Sequence, residues 1–387
     1  MKKFARKMGY PVLVRPSYVL SGAAMRVAEN EEELIDYVRL ATKVSPEYPV
    51  VVSKFMENAK EVEVDGVSDG SDILIGAIIE HIEFAGTHSG DATMVIPPQT
   101  LSLEVVSEIQ VFTNLIARVL NIRGPFNIQF LVKDEEIYVI ECNLRASRSI
   151  PYTSKATGIP LIWIGAKVML GKTLRELNCL KRPKTMHVAV KAPTFSFMRL
   201  KGADPVLGVE MTSTGEVACL DYAFAGAYIK ALTASGLDLP KPDKPILLTV
   251  KEEDKETAVE IAEKLQGMGY PIFATRGTAQ ALRESGLETD RVFRKVSESR
   301  NGKSILASLA RREIGLVINT PTVVKEYSLD DGFAIRRVAI EFLVPVLTRI
   351  ETAKALVDAL AQNGYNPVIH VRPLNEFIGS TPFSRHV

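Results

Sequence analysis

The sequence predicts an α+β region built on antiparallel strands, followed by an α/β region with a doubly wound parallel sheet. Over 49–80 and 125–143, strand-like runs follow one another with only turn residues between them, which is typical of antiparallel pairing. Beyond about residue 243, strand-like and helix-like segments alternate, which indicates a parallel sheet with helices on both faces. The chain has 387 residues, enough for two or three domains with cores of their own.

Composition restricts the class of partner. With 24% charged residues and a net charge of +1, the chain has no bulk charge for a nucleic-acid or membrane surface. The longest apolar run, 159–170, is too short to span a bilayer, and no signal-peptide pattern precedes the first strand. Cys142, Cys179 and Cys219 lie far apart without CxxC spacing, so neither a disulfide framework nor a zinc site is expected. We expect a soluble, cytoplasmic protein that acts on small molecules or protein.

The elements of the first region can be assigned in order. Residues 10–15 ("YPVLVR") are rich in β-branched side chains and predict a strand. Residues 30–44 begin with an asparagine cap and early acids and then show helical apolar spacing. The same criteria predict strands at 49–55, 60–67 and 72–80, a helix at 103–120 and a hairpin at 125–143.

The second region is separated from the first by a stretch rich in proline and lysine at 239–245, which predicts a linker. We therefore expect a first domain over 1–180, its C-terminal extension and linker over 181–242, and a second domain over 243–387. The alternating segments of the second domain are strands at 246–250, 270–275, 291–296, 314–320 and 344–348, and helices at 254–267, 278–285, 302–311, 332–341 and 350–363.

The hairpin ends in polar side chains that share one face. Because successive residues of a strand point to opposite faces, Glu141 and Asn143 point the same way, and a tight turn places Gln129 opposite position 140 or 141. Oxygen ligands with one formal charge suit Mg²⁺ or Mn²⁺ that also holds phosphates. Arg145 and Arg148 follow at once and can neutralise phosphoryl oxygens. Taken alone, the pattern fits a hairpin with one solvated face even better.

Two small polar loops supply further candidates. In "RPSYVLSGAAM" (15–25), a strand ends at Arg15 and Gly22 allows backbone N–H groups to approach phosphates, although a plain turn explains the segment equally well. The loop "EFAGTHSGDAT" (83–93) contains His88. A histidine in a loop is usually only solvated, so its surroundings must decide whether it is a base or a nucleotide contact.

Five strings, in this order, resemble the C-terminal half of the large chain of carbamoyl phosphate synthetase: "GYPVLVRPSYVLSGAAM", "EHIEFAGTHSGDAT", "GPFNIQF", "VIECNLRASRSIPYTSKATGIPL" and "DPVLGVEMTSTGEVA". Together they extend over almost all of the first 220 residues. The resemblance implies an ATP-grasp domain that phosphorylates carbamate with ATP, followed by a regulatory domain similar to methylglyoxal synthase. Such an enzyme supplies carbamoyl phosphate to pyrimidine and arginine synthesis.

The resemblance also implies a role for individual residues. It makes Gln129, Glu141 and Asn143 the ligands of two ions, Mg²⁺ or Mn²⁺, and it makes Arg145 and Arg148 the clamp on the transferring phosphoryl group, where Asn143 also acts. The implied contacts of ATP, some shared with the metal site, are Arg15, Gly22, Lys54, Met56, Glu61, Gly86, Thr87, His88, Ser89, Gln129 and Glu141. Among them, Met56 is expected beside the adenine and Glu61 beside the ribose.

Members of this family carry a further domain before the "GYP" strand, with part of the substrate pocket. We therefore expect the chain to need partners, namely the N-terminal half of the synthetase large chain and a glutamine amidotransferase subunit. One alternative is a non-catalytic fragment that binds nucleotide or effector and reacts only with a separate chain. Another is a different ATP-grasp ligase, of the biotin carboxylase or peptide ligase kind, which the strings "NLRASRS" and "STGEVA" disfavour.

The second domain offers a candidate effector site, because ligands of doubly wound sheets bind at the C-terminal ends of strands. A strand ends at Thr275 and a helix is predicted to begin at Thr278, where N–H groups and hydroxyls can bind an anion. Lys295 can reach the same phosphate, and Asn319 and Thr320 end the next core strand. The residues alone fit a simple helix cap equally well. The resemblance implies an effector phosphate, from a nucleoside monophosphate such as UMP or IMP. An active methylglyoxal synthase is disfavoured, because we find no Gly-Gly-Asp-type loop here.

Overall fold

The computed structural model describes residues 1–17, 24–180, 185–200, 202–294, 296, 304–321, 331–363 and 369–379. Within these residues the strands form sheets of three, seven and five strands. None of the described helices has the length and apolar character that crossing a membrane requires.

The three-stranded sheet is antiparallel and lies at the N-terminus. Its order is β2-β1-β3, with β1 at Val12–Pro16, β2 at Arg26–Ala28 and β3 at Val50–Lys54. Helices α1 (Lys2–Met8) and α2 (Glu31–Val44) pack against this sheet. The side chain of Asn30 caps α2 by accepting a hydrogen bond from the N–H of Glu33 at 3.0 Å, as the sequence predicts.

The seven-stranded antiparallel sheet holds the predicted hairpin at one edge. Its order is β10-β9-β6-β5-β4-β7-β8, with β4 at Lys60–Asp69, β5 at Ile73–Phe84, β6 at Met94–Ile96, β7 at Arg123–Lys133, β8 at Glu136–Asn143, β9 at Val188–Thr194 and β10 at Gly215–Asp221. The turn between β7 and β8 consists of Asp134 and Glu135, whose φ angles are 51° and 64°. Two positive φ angles are typical of the two-residue turn that pins hairpin register.

The two faces of this sheet differ. On one face, α3 (Leu103–Val119) packs on apolar side chains of the central strands, including Val62, Val64, Phe126 and Ile128. Helices α4 (Ile150–Thr157) and α5 (Leu161–Met169) lie on the other face. The polar side chains of the central strands, which alternate along each strand with the apolar ones, point to this second face. The polar side chains therefore lie on the side of the sheet opposite α3.

The C-terminal region contains the predicted parallel sheet. Its order is β13-β12-β11-β14-β15, with β11 at Ile246–Thr249, β12 at Ile272–Thr275, β13 at Arg291–Phe293, β14 at Leu316–Asn319 and β15 at Val346–Leu347. Helices α7 (Lys255–Gly267), α8 (Arg276–Glu284) and α11 (Ile350–Asn363) cover one face, and α9 (Ile305–Ala310) and α10 (Asp331–Glu341) cover the other. The prediction of a doubly wound sheet is confirmed.

The start of α8 differs from the prediction. We predicted that it begins at Thr278, but it begins at Arg276 with Thr275 at the N-cap position. Thr278 is buried in the first turn, and its hydroxyl accepts a hydrogen bond from the N–H of Val250 at 3.2 Å. This contact with a neighbouring segment gives the side chain a tertiary role in place of a cap.

The segment predicted as extension and linker contains regular structure. Strands β9 and β10 complete the seven-stranded sheet, and α6 (Phe224–Ala234) packs against α11. The hydroxyl of Tyr228 in α6 donates to the carbonyl of Thr352 at 3.0 Å. One hydrophobic cluster includes both Val190 of β9 and Ile246 of β11, so apolar packing is continuous between the two larger sheets. The last described helix is α12 (Leu374–Ile378).

Candidate active site

The register of two adjacent strands, β7 and β8, brings the predicted metal ligands together. Gln129 lies directly opposite Glu141, and Asn143 faces the same side two residues further on. The amide of Asn143 donates to Glu141 Oε1 at 2.9 Å, and Arg15 Nη1 lies 3.4 Å from Glu141 Oε2. The predicted register is confirmed. One carboxylate and two amides offer the hard oxygen donors that Mg²⁺ takes in proteins, so these residues fit a divalent ion.

A cavity of about 910 Å³ opens in front of this cluster. Every described residue that the sequence assigned to nucleotide, metal or phosphoryl binding lines it: Arg15, Lys54, Met56, Glu61, Gly86, Thr87, His88, Ser89, Gln129, Glu141, Asn143, Arg145 and Arg148. Gly22 lies outside the described residues. The cavity is large enough for a nucleotide, because small-molecule sites usually measure about 300 to 1,000 Å³.

Four cationic side chains, those of Arg15, Lys54, Arg145 and Arg148, line the same cavity as Glu141. Arg145 donates to the Asn143 side-chain oxygen at 3.3 Å, and Arg148 contacts Met211 on the segment before β10. Lys54 lines the cavity but directs its ammonium group at the carbonyls of Gly9 and Tyr10, at 3.2 and 3.0 Å. The three arginines are therefore placed to meet negative charge, whereas Lys54 has backbone partners.

In the acidic row of β4, formed by Glu61, Glu63 and Asp65, the sequence predicted a role for Glu61 but not for the other two acids. Glu63 lies opposite Gln129, whose amide donates to it at 3.2 Å, so the site holds more negative charge than the single carboxylate predicted. Its Oε1 also lies 3.4 Å from His81 Nε2. The alternation of acids in "KEVEVD" (60–65) could have found this row, since residues two apart in a strand share a face.

Two acids of this row have opposite pKa shifts. Burial raises the pKa of Glu61 to about 7. Burial also acts to raise the pKa of Glu63, but the contacts with His81 and Asn127 outweigh it and hold that pKa at about 2. Ligand atoms of Glu61, Glu63 and His81 all lie within 4.8 Å of one another, so these three side chains are a second set that could hold a metal ion.

Asp65 fixes the turn that follows β8. Its carboxylate accepts hydrogen bonds from Ser147 at 2.6 Å, Ser149 at 2.8 Å, Thr153 at 2.7 Å and Asn127 at 3.0 Å. Burial raises its pKa, and these donors oppose the increase. Because Arg145 and Arg148 belong to the same turn, Asp65 helps to place both guanidinium groups.

The predicted nucleotide loop is held from two sides. Gly86 has a φ of 107°, a conformation that favours glycine, and Phe55 would lie 3.0 Å from an added Cβ. The hydroxyl of Thr87 accepts a hydrogen bond from Arg349 at 2.7 Å, and the N–H of His88 donates to Gly208 at 2.7 Å. Burial, assisted by the charge of Arg148, lowers the pKa of His88. The imidazole is therefore neutral at neutral pH.

A buried lysine, also missed, supports this loop. Lys191 on β9 directs its ammonium group at the carbonyls of Ser89 and Gly90, at 3.2 and 3.4 Å, and lines the cavity. Burial lowers its pKa, and the acids around it oppose the decrease. A single lysine in an apolar strand gave no local signal of this role.

The described residues predicted to bind the effector lie at the C-terminal ends of β12 and β14 and in the first turn of α8, and two of them contact the residues just after β11. The hydroxyls of Thr278 and Thr320 accept hydrogen bonds from consecutive N–H groups, those of Val250 and Lys251, at 3.2 and 3.0 Å. Thr275 occupies the N-cap position of α8 without a capping hydrogen bond from its side chain, and its hydroxyl lies 3.5 Å from that of Thr278. The side-chain oxygen of Asn319 accepts from Arg336 at 2.6 Å. Lys295 lies outside the described residues.

Two family models match the chain. The one described as the carbamoyl-phosphate synthase L chain, ATP binding domain, matches residues 1–177. The one described as the MGS-like domain matches residues 257–348.

Curated relatives match nearly the whole chain. A carbamoyl phosphate synthase large chain of Methanosarcina barkeri is 43% identical over 373 residues, covering 96% of this chain and 92% of the relative. The C-terminal section of that large chain from Methanocaldococcus jannaschii is 46% identical over 370 residues, covering 92% and 59%. Multifunctional protein URA2 of Saccharomyces cerevisiae is 46% identical over 370 residues, covering 94% and 17%. The chain thus spans only part of the length of the last two.

A solved structure shows the same fold. The biotin carboxylase domain of Hydrogenobacter thermophilus 2-oxoglutarate carboxylase, in complex with MgADP, ADP and bicarbonate, aligns with a TM-score of 0.50 and 18% identity. The alignment covers 60% of this chain and 58% of that one.

Proposed function

Since this chain belongs to the carbamoyl phosphate synthase large-chain family, we propose that it phosphorylates carbamate with ATP. The proposal rests on one observation, the convergence of Gln129, Glu141 and Asn143 in a cavity that Arg145 and Arg148 also line. Phosphoryl transfer requires mainly positioning and charge stabilisation, and this arrangement offers both. An oxygen of carbamate would form a bond to the γ-phosphorus while the bond to the leaving ADP oxygen breaks.

In this proposal each group has a defined task. Gln129, Glu141 and Asn143 hold divalent ions, Mg²⁺ or Mn²⁺, which when bound neutralise phosphate oxygens. Arg145 and Arg148 stabilise the charge of the phosphoryl group during transfer. The remaining cavity residues contact ATP, with Met56 beside the base, Glu61 beside the ribose, and Arg15, Lys54, Gly86, Thr87, His88 and Ser89 around the ribose and phosphates, together with Gly22. No side chain needs to act as a nucleophile.

The C-terminal region is proposed to be the regulatory domain. Its match to the MGS-like domain and its parallel sheet support this assignment. A nucleoside monophosphate such as UMP or IMP would place its phosphate at the start of α8, near Thr275, Thr278, Asn319, Thr320 and Lys295. We propose that the first domain ends at residue 180 and that residues 181–242 form its extension, which ends in the linker. The regulatory domain then begins at residue 243.

Other chains would complete the reaction. Because relatives of this family are often longer than this chain, we propose that the N-terminal half of the large chain and a glutamine amidotransferase subunit supply carbamate. The same observation supports the second candidate function, a fragment that binds nucleotide or effector but turns over only with a separate chain.

Isothermal titration of MgATP tests the proposal. Glu141→Gln keeps the side-chain volume but removes the charge, and we expect MgATP affinity to fall by 10-fold or more. Glu136→Gln, on the same strand but outside the cavity, is the matched control and should bind as the wild type does. Equal MgATP affinity in all three proteins would overturn the metal assignment.

Turnover separates the two candidate functions. ADP and carbamoyl phosphate formation is measured with carbamate, first with the chain alone and then after addition of the N-terminal half. Turnover by the chain alone supports the enzyme, whereas MgATP binding with turnover only after the addition supports the partner-dependent fragment. Binding without turnover in either mixture would contradict the proposed reaction.

A further inference from the structure

The outer side of α3 has an apolar ridge. Leu103, Val111, Leu115 and Val119 follow at i, i+4 spacing, interrupted only by Ser107, and are 83%, 60%, 58% and 74% exposed. The inner side of the helix is already buried against the sheet through Val105, Ile109, Thr113 and Ala117. A surface helix normally turns charged and polar side chains to solvent, so this ridge is atypical. Nothing among the described residues covers it.

We propose that the α3 ridge pairs with the same ridge of a second copy of this chain, antiparallel and about a two-fold axis at Val111. Such an axis pairs position 111 − n with position 111 + n of the other copy, as isologous interfaces require. Val111 then meets its own counterpart at the axis. Leu103, which lies about 80° around the helix from Val111, is placed on the same flank of the contact as the partner subunit's Val119. Ridges of four-residue spacing are the surfaces that interdigitate most often between packed helices.

The charges flanking the ridge match this arrangement. Glu104, Val111 and Arg118 recur every seven residues, so they lie close to one line along the outside of α3. Both charged side chains are exposed. The same two-fold axis places Glu104 opposite the partner subunit's Arg118, twice in the dimer. A parallel pairing would instead oppose like charges at both ends.

The exposed area agrees with a weak dimer. The apolar side chains of the ridge expose on the order of 500 Å², near the upper end for the largest apolar patch of a monomer. Two such surfaces with their polar rims bury roughly 1,000 to 1,200 Å², at the low end of specific interfaces. The net charge of +1 adds little repulsion between copies. Because α3 lies on the face of the sheet opposite the polar cluster, association leaves the cavity accessible.

Sedimentation equilibrium of the full chain over a range of concentrations tests the pairing. We expect a reversible dimer in the wild type and a dissociation constant raised at least 10-fold by Val111→Glu, because two carboxylates would then meet at the axis. Ile162→Glu, at an exposed position of α5, is the matched control and should associate as the wild type does. Equal melting temperatures of the two variants show that both remain folded. A wild type that stays monomeric, or equal association of both variants, would overturn the proposal.

Charge reversal tests the antiparallel geometry. Glu104→Arg and Arg118→Glu should each weaken self-association, since each creates like charges at both ends of the interface. An equimolar mixture of the two variants should associate at least as tightly as the wild type, because every facing pair is then opposite in sign. A mixture no tighter than either variant alone would overturn the pairing. So would a monomeric chain whose ridge binds the N-terminal half of the large chain instead.

Discussion

Two glutamates on one strand show how neighbouring groups determine the pKa of a carboxylate. Glu63 and Glu61 are two residues apart on β4 and face the same cavity. Glu63 has His81 at 3.4 Å and accepts a hydrogen bond from Asn127 at 3.0 Å, and its pKa falls to about 2. For Glu61, burial dominates and neighbouring acids add to it, so its pKa rises to about 7. At neutral pH the first is a fixed charge, and the second is near its titration midpoint.

Glu61→Gln should change how stability depends on pH. The folded pKa of about 7 exceeds the ordinary value of 4.5, so the wild type loses stability as pH rises from 4.5 through about 7. The amide removes this loss. We expect equal Tm values near pH 5 and a Tm higher by roughly a few degrees in the variant at pH 8. Thermal melts across this range measure it, with exposed Glu47→Gln as control. A Tm difference that is constant with pH would contradict the assignment.

At the scale of elements, the hairpin could be predicted from the sequence, but the hydrogen bonds that hold the turn after it could not. The period of two along a strand places Glu141 and Asn143 on one face from local sequence. The two-residue turn alone would pair Gln129 with Ile140, and an irregularity next to Gln129, which skips Ile140, sets it opposite Glu141. The partners of Asp65 come from more than 60 residues away in the chain, and no local pattern encodes them. The start of α8 was missed for the same reason, because a contact with Val250 determines the role of Thr278.

Asp65→Ala should destabilise the turn that follows β8. The change removes the common acceptor of four donors in buried surroundings, and we expect a loss of about 3 kcal/mol in the free energy of unfolding. Asp65→Asn keeps the volume and one oxygen, so its loss should be smaller. Urea unfolding measures both, and Asp36→Ala, at an exposed ion pair on α2, controls for loss of an acid. A loss below about 1 kcal/mol would mean that the hydroxyls find other partners.

At the scale of the whole molecule, side chains of the C-terminal region reach the candidate ATP site. Arg349, just before α11, donates to Thr87 of the nucleotide loop at 2.7 Å. Arg336 of α10 donates to Asn319 at 2.6 Å and, through Nε, to Asp204 at 2.7 Å. Asp204 belongs to the segment between β9 and β10, which also supplies the carbonyl of Gly208 that binds the His88 N–H. A predicted effector residue is thus joined to the predicted nucleotide loop by a short series of contacts.

This connection predicts how an effector would influence ATP. A phosphorylated ligand near Asn319 would compete for Arg336 and weaken its hold on Asp204, so Asp204→Asn should uncouple the two sites while leaving each of them able to bind. In the wild type, UMP or IMP should change the MgATP affinity by about 5-fold or more, as is typical of coupled sites. In the variant, we expect this change to fall below about twofold. Isothermal titration of MgATP with and without each nucleotide measures this. Glu341→Gln removes the 2.9 Å ion pair with Arg337 on the same helix and leaves Asp204 alone, so its coupling should match the wild type. Coupling that survives intact in Asp204→Asn would show that the effect travels through Arg349 and Thr87 or by another route.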